Sequence, residues 1–348
     1  LRLGILEWVP GTETLKMMVT RELENRVRRG ELKINVDNND CYATVLNHYL
    51  QMLHNFTGMN AGPDLLINLV ERGPSKDAKL LQVFEQFRSK NVPQDLLCSA
   101  IASYCSTPEA YIMLRSRFAR SLAAFTVAGY ILGIGDRHLD NYLVDSFGQV
   151  VPIDFGSGFG EALRLRVPEL IPVRMTRLFL GIYSPLDSKT LLKQDMVHAL
   201  AALRAHKDRI LTVLDVFVKD PHLEWIQQAK SSMSAPRSSQ ASGTSSQASV
   251  SAEVGRFGES KIRICRLKLE GYNSAYIMKE EFEKTPHRKR KNFFNNAVDY
   301  IMGKKGVNKR ADVGERCSSV EEQVDVLLDH ATDPVILAQT WYGWAPYL

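Results

Sequence analysis

The sequence predicts an α+β fold that is mostly helical and carries one small β hairpin. Three observations lead there. Apolar residues recur at helical spacing through much of the chain, and two short apolar pieces at 142–144 and 150–153 are joined by Asp-Ser-Phe-Gly. In addition, 45% hydrophobic residues over 348 positions can bury a substantial core, forming one large domain or two.

Residues 1–8, LRLGILEW, are short, branched and apolar like a central strand, and Pro10-Gly11 stops them. A strand needs neighbours, so sheet partners are expected ahead of it. Residues 14–29 read as a helix, 35–73 as short helical segments mixed with turns, and 77–87 as another helix after the loop opened by Gly73-Pro74. Thr107, Pro108 and Glu109 form a helix start: a capping hydroxyl, proline in the first turn and a carboxylate near the positive helix end. That helix is expected to reach about Leu122 and to run on, with or without a break, to Leu132.

Beyond Gly135 the period shortens to that of strands. Asp145, Ser146, Phe147 and Gly148 make the hairpin turn, and Pro152 has to face an edge or a place without a ladder bond. Helices follow at 172–180, 188–204 and 209–217. Residues 231–252, SSMSAPRSSQASGTSSQASVSA, hold almost nothing large enough to bury, so a disordered insert is expected over 231–255. Residues 262–269 alternate poorly with basic residues, and order resumes with a helix over 319–330 that presents Val320, Val324, Leu327 and Leu328. The last segment, TWYGWAPYL, sets Trp341, Trp344 and Tyr347 around Gly343 and Pro346; it is too short to fold alone and is expected to pack on the larger lobe.

Charge is nearly balanced. The 44 basic and 39 acidic side chains leave +5, too small an excess to mark a nucleic-acid binder. The basic run at 284–291, KTPHRKRK, with Lys304, Lys305, Lys309 and Arg310, reads first as a solvated loop. Five dispersed cysteines without a CxxC pair argue against a disulfide framework or a zinc site and for a reducing compartment. No signal-peptide pattern opens the chain, and the longest weakly polar run, 121–135, is short for a membrane span, so a soluble protein is expected.

The informative stretch is GIGDRHLDNYLVDSFGQVVPIDFGSGFG at 133–160. It places Asp136, His138 and Asn141 in one loop ahead of the hairpin and Asp154 just behind it, so the returning chain can bring both carboxylates to one end of a small sheet. Phosphoryl transfer from ATP needs such a set: oxygen ligands for magnesium and a carboxylate facing the attacking hydroxyl. Asp154, followed by Phe155-Gly156, suits the metal, with Asn141 as a second oxygen; Asp136 suits the hydroxyl, and His138 suits the developing phosphate charge. The plainer alternative makes Asp136 a turn cap, His138 a satisfied loop histidine and Asp154 a hairpin terminator.

GDRHxxN followed by IDFG resembles the phosphatidylinositol-3-kinase-related protein kinases, which set histidine after the catalytic aspartate. The stretches STPEAYIMLRSRFARS, VPELIPVRMTR, VHALAALRAHKD and DVFVKDPHLEW extend the resemblance, and ATDPVILAQTWYGWAP is similar to the terminal FATC module of that family. The resemblance implies a protein-kinase-like fold of the PI3/PI4-kinase type. Residues 1–9 would supply the last N-lobe strand and hinge, and 10–230 the C-lobe, with its catalytic loop at 133–144 and activation segment at 154–176. Residues 256–315 would be a C-lobe extension and 316–348 the FATC module.

It further implies that Leu6, Glu7, Trp8 and Val9 line the adenine edge, with Leu143 and Ile153 as the pocket floor. ATP and Mg2+, or Mn2+ in its place, are the implied cofactors. The implied substrates are proteins phosphorylated at Ser-Gln or Thr-Gln sites, and the implied setting is nuclear end joining at double-stranded DNA ends with the Ku heterodimer. Ser239-Gln240 and Ser246-Gln247 would then be candidate self-phosphorylation sites. Asp140 and Ser157 depart from a close family member, which has asparagine and histidine there. The family places the phosphate-covering loop, its lysine and the acidic partner of that lysine ahead of the hinge, so residues 1–348 alone are not expected to turn over ATP. A phosphoinositide lipid kinase shares the same loop but lacks the terminal module, and a non-catalytic kinase-like scaffold is the third reading.

Overall fold

Thr14 closes the first strand and opens the first helix: its hydroxyl accepts the Met17 N–H at 3.2 Å, satisfying one of the unpaired donors of the first turn. The computed structural model describes residues 7–32, 40–58, 60, 65–66, 74–165, 167–184, 186, 188–218, 247–283 and 316–348. Within them the order is β1 (Thr12–Thr14), α1 (Leu15–Arg28), α2 (Cys41–Thr57), α3 (Pro74–Asn91), α4 (Leu96–Ala102) and α5 (Pro108–Leu132). The hairpin β2 (Tyr142–Asp145) and β3 (Val150–Pro152) follows. Then come α6 (Arg177–Leu180), α7 (Ser188–Ala205), α8 (Lys207–Val218), α9 (Gln247–Leu269), α10 (Ser274–Glu283), α11 (Val320–Thr332) and α12 (Pro334–Ala338).

The sheet has the antiparallel order β1-β2-β3, with Glu13 opposite Val144 and Leu143 opposite Val151. The predicted hairpin is present, and its turn is held by Asp145, whose Oδ1 accepts the N–H groups of Phe147 and Gln149 at 2.9 and 2.7 Å. Gly148 has φ +81°, and a Cβ there would lie 2.7 Å from the Leu114 carbonyl oxygen, so the turn needs glycine. Pro152 ends the outer strand β3, where a missing N–H costs no ladder bond.

The central strut is α5, 25 residues long and without the break that the sequence allowed. Thr107 caps it by accepting the Ala110 N–H at 3.2 Å, Pro108 stands in the first turn, and Gly133 ends it at φ +62°. Its buried side, including Phe118, Leu122, Val127 and Tyr130, packs against α7 and α9. Val324, Leu327 and Leu328 are buried on α11, which packs on α7, while α12 packs on α3. The final residues then insert among these helices. Tyr347 is fully buried between Tyr49 of α2 and Phe87 of α3, with ring centroids 5.0 and 5.1 Å away. Tilted and edge-on aromatic pairs of this kind contribute about 0.5–1.5 kcal/mol each beyond their area burial.

Several expectations are corrected. Residues 7–9 form no strand, residues 1–6 lie outside the described residues, and the third strand is β1, which the sequence reading missed. The helix expected over 172–180 is confined to Arg177–Leu180; residues 172–176 are irregular, with Arg174 buried and bonded to the tail carbonyls. In the region expected at 35–73 as short helical segments mixed with turns, one longer helix, α2, covers Cys41–Thr57, and Leu65 and Leu66 are also helical. Residues 231–246 and the basic run at 284–291 lie outside the described residues. From Gln247, however, the chain is helical, so 247–255 does not belong to the disordered insert expected there. The reason lies further along: Ile262, Cys265 and Leu269 are buried at helical spacing, and an anchored helix propagates backward at little cost. All five cysteines are free thiols and four are buried. No helix among the described residues is long and apolar enough to cross a membrane.

Candidate active site

The loop carrying Asp136 leaves α5 through a close backbone crossing. Phe159 N–H donates to Leu132 O at 2.8 Å, Gly160 N–H to Gly133 O at 2.9 Å and Gly135 N–H to Ser157 O at 2.9 Å. A Cβ on Gly135 would come 2.1 Å from the Ala162 Cβ, so the approach requires the bare backbone. Asp136 and Asp154 both adopt φ +55°, a conformation that costs a non-glycine residue energy and persists only where surrounding contacts enforce it.

Those contacts are visible. Asn141 Nδ2 donates to the Asp136 carbonyl at 2.7 Å, Ile153 N–H donates to the Asn141 carbonyl at 3.1 Å, and Gly156 N–H donates to Asp154 Oδ1 at 3.2 Å. Arg137, nearly fully buried, points its guanidinium between the two segments. Its Nε donates to Gly135 O at 2.9 Å, its Nη1 to Ile153 O at 2.8 Å and its Nη2 to the Asp154 carbonyl. Burial lowers the Arg137 pKa, opposed by the nearby Tyr142, Asp136, Glu169 and Asp154. One guanidinium therefore ties the backbone of the loop to the backbone of the segment after the hairpin. The stretches bearing Asp136 and Asp154 are brought together.

Asp154 is exposed, as is Phe155 at 53%. Asn141 is buried, and among the described residues its Oδ1 accepts no hydrogen bond; its backbone carbonyl accepts the N–H of Ile153, the residue before exposed Asp154. Oxygens such as Asn141 Oδ1 and the Asp154 carboxylate fit a hard dication. No group of three His, Cys, Asp or Glu side chains among the described residues could hold a metal ion, so two oxygen-bearing side chains are offered rather than a closed cage. His138 is part-exposed, with Nδ1 3.9 Å from Asp140 Oδ2. Asp140 itself pairs with Lys16 of α1 at 3.0 Å. Burial works to lower the Lys16 pKa, but the hydrogen bond and charge of Asp140 win and hold the ammonium above its ordinary value.

Of the residues expected around adenine, Leu6 lies outside the described residues, while Glu7, Trp8 and Val9 are exposed, Trp8 at 57%. Leu143 is buried, yet it stands apart from the core cluster that contains Tyr142 and Val144. Strand alternation puts Leu143 and Val151 on the other face of the sheet, with half-buried Ile153 following two residues after Val151.

Three participants were not singled out from the sequence. Arg137 stood inside the motif without a role. Glu169 accepts the Asp136 N–H through Oε1 at 2.9 Å. Burial pushes the Glu169 carboxyl up to about 7, with the Asp136 N–H opposing. Arg174, 1% exposed, reaches from the segment after the hairpin to the C-terminal residues. Only their place within the stretch VPELIPVRMTR pointed to the last two.

A family model described as phosphatidylinositol 3- and 4-kinase matches residues 1–226, well over half of the chain, and a FATC domain model matches residues 317–348. The chain belongs to the phosphatidylinositol 3- and 4-kinase family and has its protein-kinase-like fold. Within that class it is similar along its whole length to DNA-dependent protein kinase catalytic subunits. It is 36% identical to that of Dictyostelium discoideum over 99% of the chain and 8% of the relative, and 34% identical to that of Gallus gallus over 100% of the chain and 8% of the relative. It is also 32% identical to the serine/threonine-protein kinase smg-1 of Caenorhabditis briggsae over 64% of the chain and 10% of that protein. The chain thus spans about 8% of the length of the catalytic subunits that it matches.

Proposed function

We propose that the protein to which this chain belongs is a serine/threonine protein kinase that transfers the γ-phosphate of ATP to protein hydroxyls. The observation that carries the reading is the Arg137-bridged loop: Asp136, Asn141 and Asp154 stand on two segments joined by the Arg137 guanidinium and by the Ile153 N–H to Asn141 carbonyl bond. In this reading Asp136 orients the substrate hydroxyl and takes its proton, and His138 donates to the phosphate oxygens. Asn141 Oδ1 and Asp154 would hold Mg2+, or Mn2+ in its place. When bound, the metal supplies neutralising charge for the phosphates. Leu143 and Ile153 would floor the adenine pocket, with Leu6, Glu7, Trp8 and Val9 at its edge.

The finer assignment rests on the relatives named DNA-dependent protein kinase catalytic subunit. From that name we extend the reading to activation by DNA ends. The Ku heterodimer as partner, Ser-Gln or Thr-Gln sites, a nuclear location and a role in end joining complete it. Activity is assigned to the whole protein, and residues 1–348 by themselves are expected to turn over no ATP.

The test uses the full-length protein and a Ser-Gln peptide, with and without DNA ends and Ku. Transfer to the peptide should rise with DNA ends and fall by about 100-fold or more in Asp154→Asn. Transfer to an inositol lipid with none to peptide would replace the substrate assignment, and an unaffected Asp154→Asn would remove the site.

A further inference from the structure

Arg174 is a large side chain that is almost completely buried, and it forms no salt bridge among the described residues. Burial brings its pKa down to about 10, so it remains a cation at neutral pH. Placing an unpaired charge in a protein interior is costly, and an apolar side chain of similar length would fill the same space more cheaply. The position of its donors accounts for the guanidinium. Nη1 donates to the Trp344 carbonyl at 2.6 Å and to the Arg137 carbonyl at 3.2 Å, and Nη2 donates to the Ala345 carbonyl at 3.0 Å. The cation also lies 4.2 Å from the centroid of the Trp344 ring. Arg137, whose carbonyl it holds, is the residue that joins Gly135, Ile153 and Asp154.

We infer that Arg174 is a positioning residue, forming with Arg137 a two-arginine relay that couples the C-terminal residues to the loop bearing Asp136 and Asp154. The relay has no flexible link. Ala345 has φ +51° and is fully buried, so the carbonyls offered to Arg174 are presented by a fixed turn at Tyr342–Trp344. At the other end Arg137 grips three carbonyls with a rigid planar fork, a geometry that an ammonium cannot reproduce. Loss of Arg174 would free the Arg137 carbonyl and the tail together. The effect on catalysis assumes the kinase reading above; the structural coupling does not.

The experiment compares Arg174→Met and Arg174→Lys with the unaltered full-length protein by amide hydrogen exchange and by peptide phosphorylation. In Arg174→Met, exchange should quicken about 10-fold or more at both 133–141 and 341–348 while α7 keeps its protection. The kcat should fall about 100-fold with the KM for ATP within about 3-fold, as expected when a reactive group is misplaced rather than a ligand lost. Arg174→Lys should fall between the two in both readouts. The inference is overturned if exchange changes at 341–348 alone, if protection is lost across the whole lobe, or if Arg174→Lys matches the unaltered protein. If the unaltered protein transfers no phosphate, the functional reading fails, and the exchange pattern still decides the coupling.

Discussion

The loop at 133–160 and the tail at 317–348 meet at Arg174, and they are built in opposite ways. In the loop, Asp154 and Phe155 face solvent, two aspartates hold left-handed backbone, and order comes from hydrogen bonds to carbonyls. In the tail, Trp344, Ala345, Tyr347 and Leu348 are buried, and order comes from apolar packing against α2, α3 and Arg174. The difference teaches where a strained, open site gets its rigidity. A loop whose side chains stay open to solvent cannot bury them, so an apolar segment distant in sequence supplies the burial, and Arg174 and Arg137 link the two through polar contacts.

The strongest way to break this comparison is to remove the buried partner. Deleting residues 340–348 from the full-length protein should lower peptide phosphorylation by about 100-fold or more. Normal turnover would show that the loop holds its geometry unaided. A second test uses acid and base, because the two regions contain groups whose pKa values move in opposite senses. Glu169, beside the loop, is raised from 4.5 to about 7, so its contribution to stability is fully present below pH 4.5 and is lost as pH rises toward 7. His330 of α11 is lowered from 6.5 to about 4 by burial, against the Leu170 carbonyl that it touches at 2.8 Å; Ser274 Oγ lies 3.0 Å from its other ring nitrogen. Its contribution is present above pH 6.5 and is lost as pH falls toward 4.

Thermal unfolding across pH 4–8 should therefore lose the alkaline-side decline in Glu169→Gln and the acid-side decline in His330→Gln, each on the order of a few kcal/mol. Identical pH profiles for both variants and the unaltered protein would erase the distinction. The smallest effect belongs to the exposed rim of the loop. Asp140→Asn breaks a pair with Lys16 whose side chains are 45% and 39% exposed, so stability should change by less than about 1 kcal/mol and activity by less than about 3-fold. A large loss would show that Asp140 belongs with the inner contacts.

The sequence made the hairpin legible because its turn chemistry is local: Asp145 and Gly148 specify it without help from the rest of the chain. The start of α5 was legible for the same reason, through Thr107 and Pro108. What escaped depends on distant partners. Strand β1 has only three residues and is defined by pairing with β2, some 130 positions away. Residues 172–176 read as helix because their apolar spacing conceals that Arg174 must reach the tail. Asp136, Asn141 and Asp154 stood out as chemistry-bearing types at a telling spacing, whereas Glu169 acts on Asp136 across 33 positions and left no local trace.

The crossing at the end of α5 bears on how a bound compound could displace the loop. Three main-chain bonds fasten residues 157, 159 and 160 to 135, 132 and 133, and β3 fixes the other side, so Phe155 rides on a loop tethered at both ends. A compound that relocates this ring has only residues 153–156 between β3 and the crossing, and Arg137 already holds the carbonyls of Ile153 and Asp154. Selectivity for a displaced ring would then be set by how much those few residues can bend.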